Sequence, residues 1–162
     1  MVDASEWVLL AYRLPREPST PRINVWRKLR RLGAVQLVDG LVALPATART
    51  REQFDWLADE VLEAGGEAWT WTARPGSKDQ QRALAAKMSA AAAEDYRSVL
   101  EETESVLASG DPAGRRTVER LQRELRRIEG RDHFPPKERG RARRAAQRLA
   151  DQLDGAEEGV DR

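Results

Sequence analysis

The 162-residue chain has no cysteine, one histidine and only two phenylalanines and two tyrosines. Without thiols there are no disulfides, no thiolate metal sites and no cysteine nucleophile. A lone imidazole, His133, with scattered carboxylates does not gather the several ligands a metal needs. The glycines nowhere follow a strand as a phosphate-cradling loop, so nucleotide and flavin binding have no motif. No apolar run approaches the roughly 20 residues that span a bilayer, and the opening MVDASEW lacks the basic-then-apolar layout of a signal peptide. The paired acids Asp59-Glu60, Glu101-Glu102 and Glu157-Glu158 fall on helical stretches or the tail, as solvated faces do. These absences predict a cytoplasmic protein that is not an enzyme, with no cofactor, no metal site and no catalytic residue.

What the chain does have is charge, segregated along its length. Net charge is only +1. Yet residues 1–76 balance ten basic against ten acidic side chains, 77–114 carry four against seven, 115–148 thirteen against five, and 149–162 one against five. A block near +8 with acidic flanks can draw a polyanion, or its arginines can pair with neighbouring acidic helices and with Glu119, Glu124 and Glu129 of their own segment.

Residues 7–14 are apolar almost throughout and read as a strand buried on both faces. Ser19 or Thr20 caps a helix that accommodates Pro21 in its first turn, places Val25, Leu29 and Leu32 on one face, and stops at Gly33. Residues 35–38 and 41–44 flank Asp39-Gly40, a dipeptide suited to a type I′ hairpin. Thr50 with Gln53 forms a capping-box pattern before a helix faced by Phe54, Leu57, Val61 and Leu62. Residues 67–73 make a fourth strand with Trp69 and Trp71 on one side. The order βαββαβ predicts a ferredoxin-like antiparallel sheet of the α+β class over residues 1–76.

A three-helix extension is expected over 77–154, packed on the sheet. Ser77 caps the first helix, with Leu84, Met88, Ala92, Tyr96, Val99 and Thr103 in its stripe. Asp111 and Pro112 start the second, which carries Val118, Leu121, Leu125 and Ile128 and ends at Gly130. The third runs from Pro135 to about Leu153, and 155–162 is an acidic tail expected to be disordered. The second face of the first strand needs a cover, which either the extension or a second subunit can supply. Arg131 to Pro136 reads as a turn between helices in which Asp132 or His133 bonds backbone groups.

The first helix sets Arg27, Arg30 and Arg31 opposite its apolar face, with Lys28 alongside and Arg22 at its start. A basic helix face is the footprint of a phosphate-backbone contact, or a solvated face whose stems cover apolar surface. Arg141, Arg143 and Arg144 are the matching candidates in the late basic block. Five tryptophans invite a base-stacking reading. RNA-recognition sheets carry their stacking aromatics on the first and third strands, and the third strand here has none. Trp7, Trp69 and Trp71 are therefore expected in a buried cluster or against the helical extension.

The series from Trp7 to Pro45, with its Pro-Arg-x-Pro-Ser segment, Trp26-Arg27-x-Leu29 helix, Gly33-Ala34, Asp39-Gly40 and Leu44-Pro45, resembles the opening of the N-terminal domain of the ChrB family of chromate resistance regulators. Gly65-Gly66-Glu67-Ala68 and the Arg126 to Pro135 series extend the resemblance over nearly the whole folded chain. It implies a chromate-responsive regulatory protein whose N-terminal domain contacts promoter DNA. Members of the family usually continue into a second domain to which chromate sensing is assigned. This chain is then a free-standing module or a fragment, and the resemblance assigns no chromate-binding residue to it. Its expected partners are promoter DNA, a second copy in a homodimer, or a protein bearing the sensory domain, and no membrane.

Overall fold

The computed structural model describes residues 5–110 and 114–160. They divide into two compact units, Met1–Met88 and Ser89–Arg162. The division falls inside a helix, beyond the expected boundary at Pro75-Gly76.

In the first unit β1 (Trp7–Arg13), α1 (Thr20–Leu32), β2 (Val35–Val38), β3 (Leu41–Pro45), α2 (Ala48–Glu63) and β4 (Glu67–Ala73) follow one another. The strands form one antiparallel sheet in the order β2-β3-β1-β4, an α+β arrangement compatible with the ferredoxin-like expectation. Each helix connects parallel strands that have one strand between them, and right-handed crossovers place both helices on the same side. Val25 and Leu29 of α1 and Phe54, Leu57 and Val61 of α2 are buried, as the spacing predicts, whereas Leu32 is half-buried and Leu62, expected on the α2 face, is exposed.

Three local expectations are corrected. The N-cap of α2 is Thr47, three residues before the expected one. Its side chain accepts from Thr50 N at 3.1 Å while Thr50 Oγ1 accepts from Thr47 N at 2.9 Å, a capping box closed by a threonine instead of Glu or Gln. The hairpin at Asp39-Gly40 is not type I′, because only Gly40 has positive φ (75°). Gly40 is also required sterically, since a Cβ there would lie 2.5 Å from Tyr12 O. Finally, β1 is only partly covered. Val8, Leu10, Val42 and Leu44 share one face and are all buried. On the other face Trp7, Pro45, Ala43 and Val35 are buried, but Trp69 and Trp71 are 67% and 59% exposed. The pair does share a face, but it forms no buried cluster.

α3 (Lys78–Ser109) begins in the first unit, where Ser77 Oγ caps it by accepting from Gln80 N at 3.1 Å. Its later part meets α4 (Arg115–Arg131) and α5 (Glu138–Val160) in the second unit. One core holds Ala92, Tyr96 and Val99 of α3, Val118, Leu121, Leu125 and Ile128 of α4, and Ala142, Ala146 and Leu149 of α5. The Asp111-Pro112 start lies outside the described residues, and α4 runs one residue past Gly130. α5 continues through residues 155–160, where a disordered tail was the expectation. Arg115 holds Glu157 at 2.8 Å, a contact that favours the extra helical turns.

Candidate functional site

α1 brings the first group of predicted residues together. Val25 and Leu29 face the core, and Arg22, Arg27, Lys28, Arg30 and Arg31 are all exposed. Lys28 gives its Nζ to Glu60 of α2 at 2.5 Å. Among the described residues no carboxylate pairs with Arg22, Arg27, Arg30 or Arg31. Arg30 lies over the Trp26 ring, 5.2 Å from its centroid, one turn apart on the helix. Arg30 and Arg31 occupy the last turn, where the helix dipole favours positive charge. Beside them a shallow groove between α1 and α2 is lined by Lys28, Arg31, Leu32, Gln53, Trp56 and Leu57.

The late basic block is organised differently. Arg120 is held by Glu102, Arg131 by Asp95 at 2.9 Å, Arg127 by Glu124 at 3.5 Å, and Arg143 by Glu129. The Arg120 guanidinium holds the Glu102 carboxyl below the usual carboxylate range. Of the three candidates here, Arg143 is engaged, while Arg141 and Arg144 are exposed with no carboxylate partner among the described residues. The block is thus neutralised in part by its own unit.

The structure also shows a polar centre that spacing does not reveal. Tyr96 is fully buried and donates its hydroxyl to Asp132 Oδ2 at 2.8 Å. Burial, reinforced by that bond and by the Asp132 charge, pushes the Tyr96 phenol far up from its ordinary value. Arg139 stands 4.0 Å from the same carboxylate, and Asp132 Oδ1 has no hydrogen-bond partner among the described residues. The Asp132 side chain therefore serves α3, where the sequence suggests a backbone-capping turn. A tyrosine and an aspartate 36 positions apart give no local signal. Among the described residues no three acidic or histidine side chains cluster as metal ligands, and no helix is long and apolar enough to cross a membrane.

Comparison with known proteins fits this architecture. A family model described as protein ChrB, N-terminal, matches residues 22–109, over half of the chain and α1 from Arg22 onward. The match excludes residues 7–21 and the Arg126 to Pro135 series, so it is narrower than the resemblance read from sequence. Protein ChrB of Cupriavidus metallidurans is 35% identical over 77 residues, covering 48% of this chain and 24% of that protein. The chain thus aligns with about a quarter of its curated relative. The extent of the model match establishes that the chain belongs to the ChrB N-terminal family.

Proposed function

We propose that the chain is a DNA-binding regulatory module associated with chromate resistance, and that α1 is the face it lays on the phosphate backbone. One observation carries this reading: Arg22, Arg27, Arg30 and Arg31 stand exposed on one helix without carboxylate partners among the described residues. Each such guanidinium can displace a condensed counterion when it meets a phosphate. Stacking on Trp26 pre-orients Arg30, which lowers the entropy lost on binding. Arg141 and Arg144 are secondary phosphate contacts in this scheme, and Arg143 contributes only if Glu129 releases it. The working location is the cytoplasm, and the role is binding without catalysis. Chromate sensing is left to a partner domain.

A second reading is a protein-interaction or dimerisation module that needs such a partner and makes no DNA contact. The pairing of arginines inside the second unit and the exposed tryptophans of the first favour it. Anisotropy titrations of labelled promoter and unrelated duplexes separate the two. The DNA reading expects binding to both that weakens steeply with salt, since phosphate contacts position without specifying. Absence of binding to either duplex at low salt would leave the interaction module.

A further inference from the structure

The two edges of the sheet are built differently. At the β2 edge the strand has four residues and its register slips between Gln36 and Val38. The Gln36 carbonyl there is taken by Lys87 Nζ at 3.0 Å. A short strand, a bulge and a lysine are means by which sheets prevent edge pairing. β4 has none of them. It runs seven residues in unbroken register against β1, with neither lysine nor proline between Glu67 and Ala73.

The ladder fixes which backbone groups of β4 are open. Glu6 O accepts from Ala46 N at 3.0 Å and Tyr12 N donates to Gly40 O at 2.8 Å, so even-numbered residues of β1 turn their backbone groups toward β3. Odd-numbered residues turn theirs toward β4, because these groups alternate along a strand. Leu9 and Ala11 therefore bond Trp71 and Trp69, and Ala68, Thr70 and Thr72 direct N–H and C=O away from the sheet. Thr70 and Thr72 are exposed, and no backbone group among the described residues pairs with this row.

We propose that β4 pairs antiparallel with β4 of a second copy of this chain, about a twofold axis through Thr70. A twofold contact must be self-complementary. Only with Thr70 opposite itself do all three outward residues find partners, Ala68 facing Thr72 of the second copy. The same register sets Trp69 across from Trp71 of the second copy at a non-hydrogen-bonded site, where side chains approach most closely. Two indole pairs then form on the face that carries Leu9 and Ala11. A nucleic acid fits this edge less well. The open groups are a strand's alternating donors and acceptors, and the flanking Arg13 and Arg74 already face Glu67 at 3.1 Å and Glu6 at 4.0 Å. The inference is independent of the DNA reading, since it uses no residue of α1.

The absence of native cysteine makes the register testable in the full chain. Thr70→Cys should give a disulfide-linked dimer on mild oxidation, because residues opposite in a hydrogen-bonded pair lie about 5.5 Å apart at Cα, inside disulfide range. Thr72→Cys should not, because four residues of offset put its two copies about 13 Å apart. In sedimentation equilibrium the unmodified chain should show a monomer–dimer equilibrium. Thr70→Lys, which sets like charges opposite on the axis at an exposed position, should raise the dissociation constant roughly tenfold or more. A chain that stays monomeric at every concentration, or equal cross-linking of the two cysteine variants, would overturn the proposal.

Discussion

The arginines of α1 and those of α4 and α5 carry the same charge but meet different neighbours. In α1 four guanidiniums face solvent, and among the described residues Lys28 alone is held by a carboxylate. In the second unit Arg120, Arg127, Arg131 and Arg143 are each claimed by an acidic side chain of α3 or α4. The formal charge of that stretch therefore overstates what it can offer a polyanion, although Arg116, Arg123, Arg126, Lys137, Arg141, Arg144 and Arg148 stay exposed with no carboxylate partner among the described residues. Sequence charge counts what is present, and only the fold decides how much of it is spent internally.

The two units also keep separate reporters, which allows the comparison to be broken one side at a time. All five tryptophans lie between residues 7 and 71, so indole fluorescence follows the first unit, while helical circular dichroism is weighted toward the second. Phe54→Ala, at a fully buried position, should destabilise the first unit by about 3–5 kcal/mol, and Leu121→Ala the second by about 2–5 kcal/mol. Urea titrations read by both signals check this. Each substitution should move the signal of its own unit further.

The next effect belongs to the second unit alone. Tyr96→Phe removes the hydrogen bond to a buried carboxylate that already has one unpartnered oxygen, and should cost about 1.5–3 kcal/mol at neutral pH. The folded phenol titrates above its ordinary value of 10.0, so its contribution is whole below that pH and is lost as pH rises past it. Thermal melts across the alkaline range should show a steeper decline in the native chain than in Tyr96→Phe, where only the phenol of Tyr12, also raised by burial, remains.

Smaller effects sharpen the contrast in charge. Glu60→Gln releases Lys28, and should steepen the dependence of log K for DNA on log salt by up to about 0.9. Glu102→Gln releases Arg120 in the second unit and should leave that slope as it was. The Glu102 carboxyl, held low by Arg120, contributes stability above the ordinary carboxylate range that is lost as pH falls through its depressed folded value. Its exposure keeps the contribution small, so acid melts of Glu102→Gln and the native chain should differ only slightly.

Local chemistry made much of the first unit legible from sequence. Pro21, the Val25–Leu29 spacing and Gly33 specify α1, and Phe54, Leu57 and Val61 specify the face of α2. The α2 cap was missed because Thr50 fills the place where Glu or Gln is the familiar signal. The hairpin type was missed because Asp39-Gly40 fits more than one turn, and Tyr12 O decides between them from another strand. The basic face of α1 follows from helical period alone. Which arginines remain unpaired does not, because Glu102 and Arg120, or Asp95 and Arg131, meet only through the packing of separate helices. Trp69 and Trp71 read as core by residue type, whereas their exposure depends on what lies over a sheet face.

The most direct test removes equal charge from the two regions. Arg27→Ala/Arg31→Ala and Arg120→Ala/Arg127→Ala each delete two guanidiniums, and anisotropy titrations over a salt series give the slope for each folded variant. If α1 meets the phosphates, the first pair should make the slope shallower by roughly two units and the second should leave it unchanged. Equal slopes for the native chain and Arg27→Ala/Arg31→Ala, or a larger loss from the α4 pair, would contradict the assignment of the site to α1.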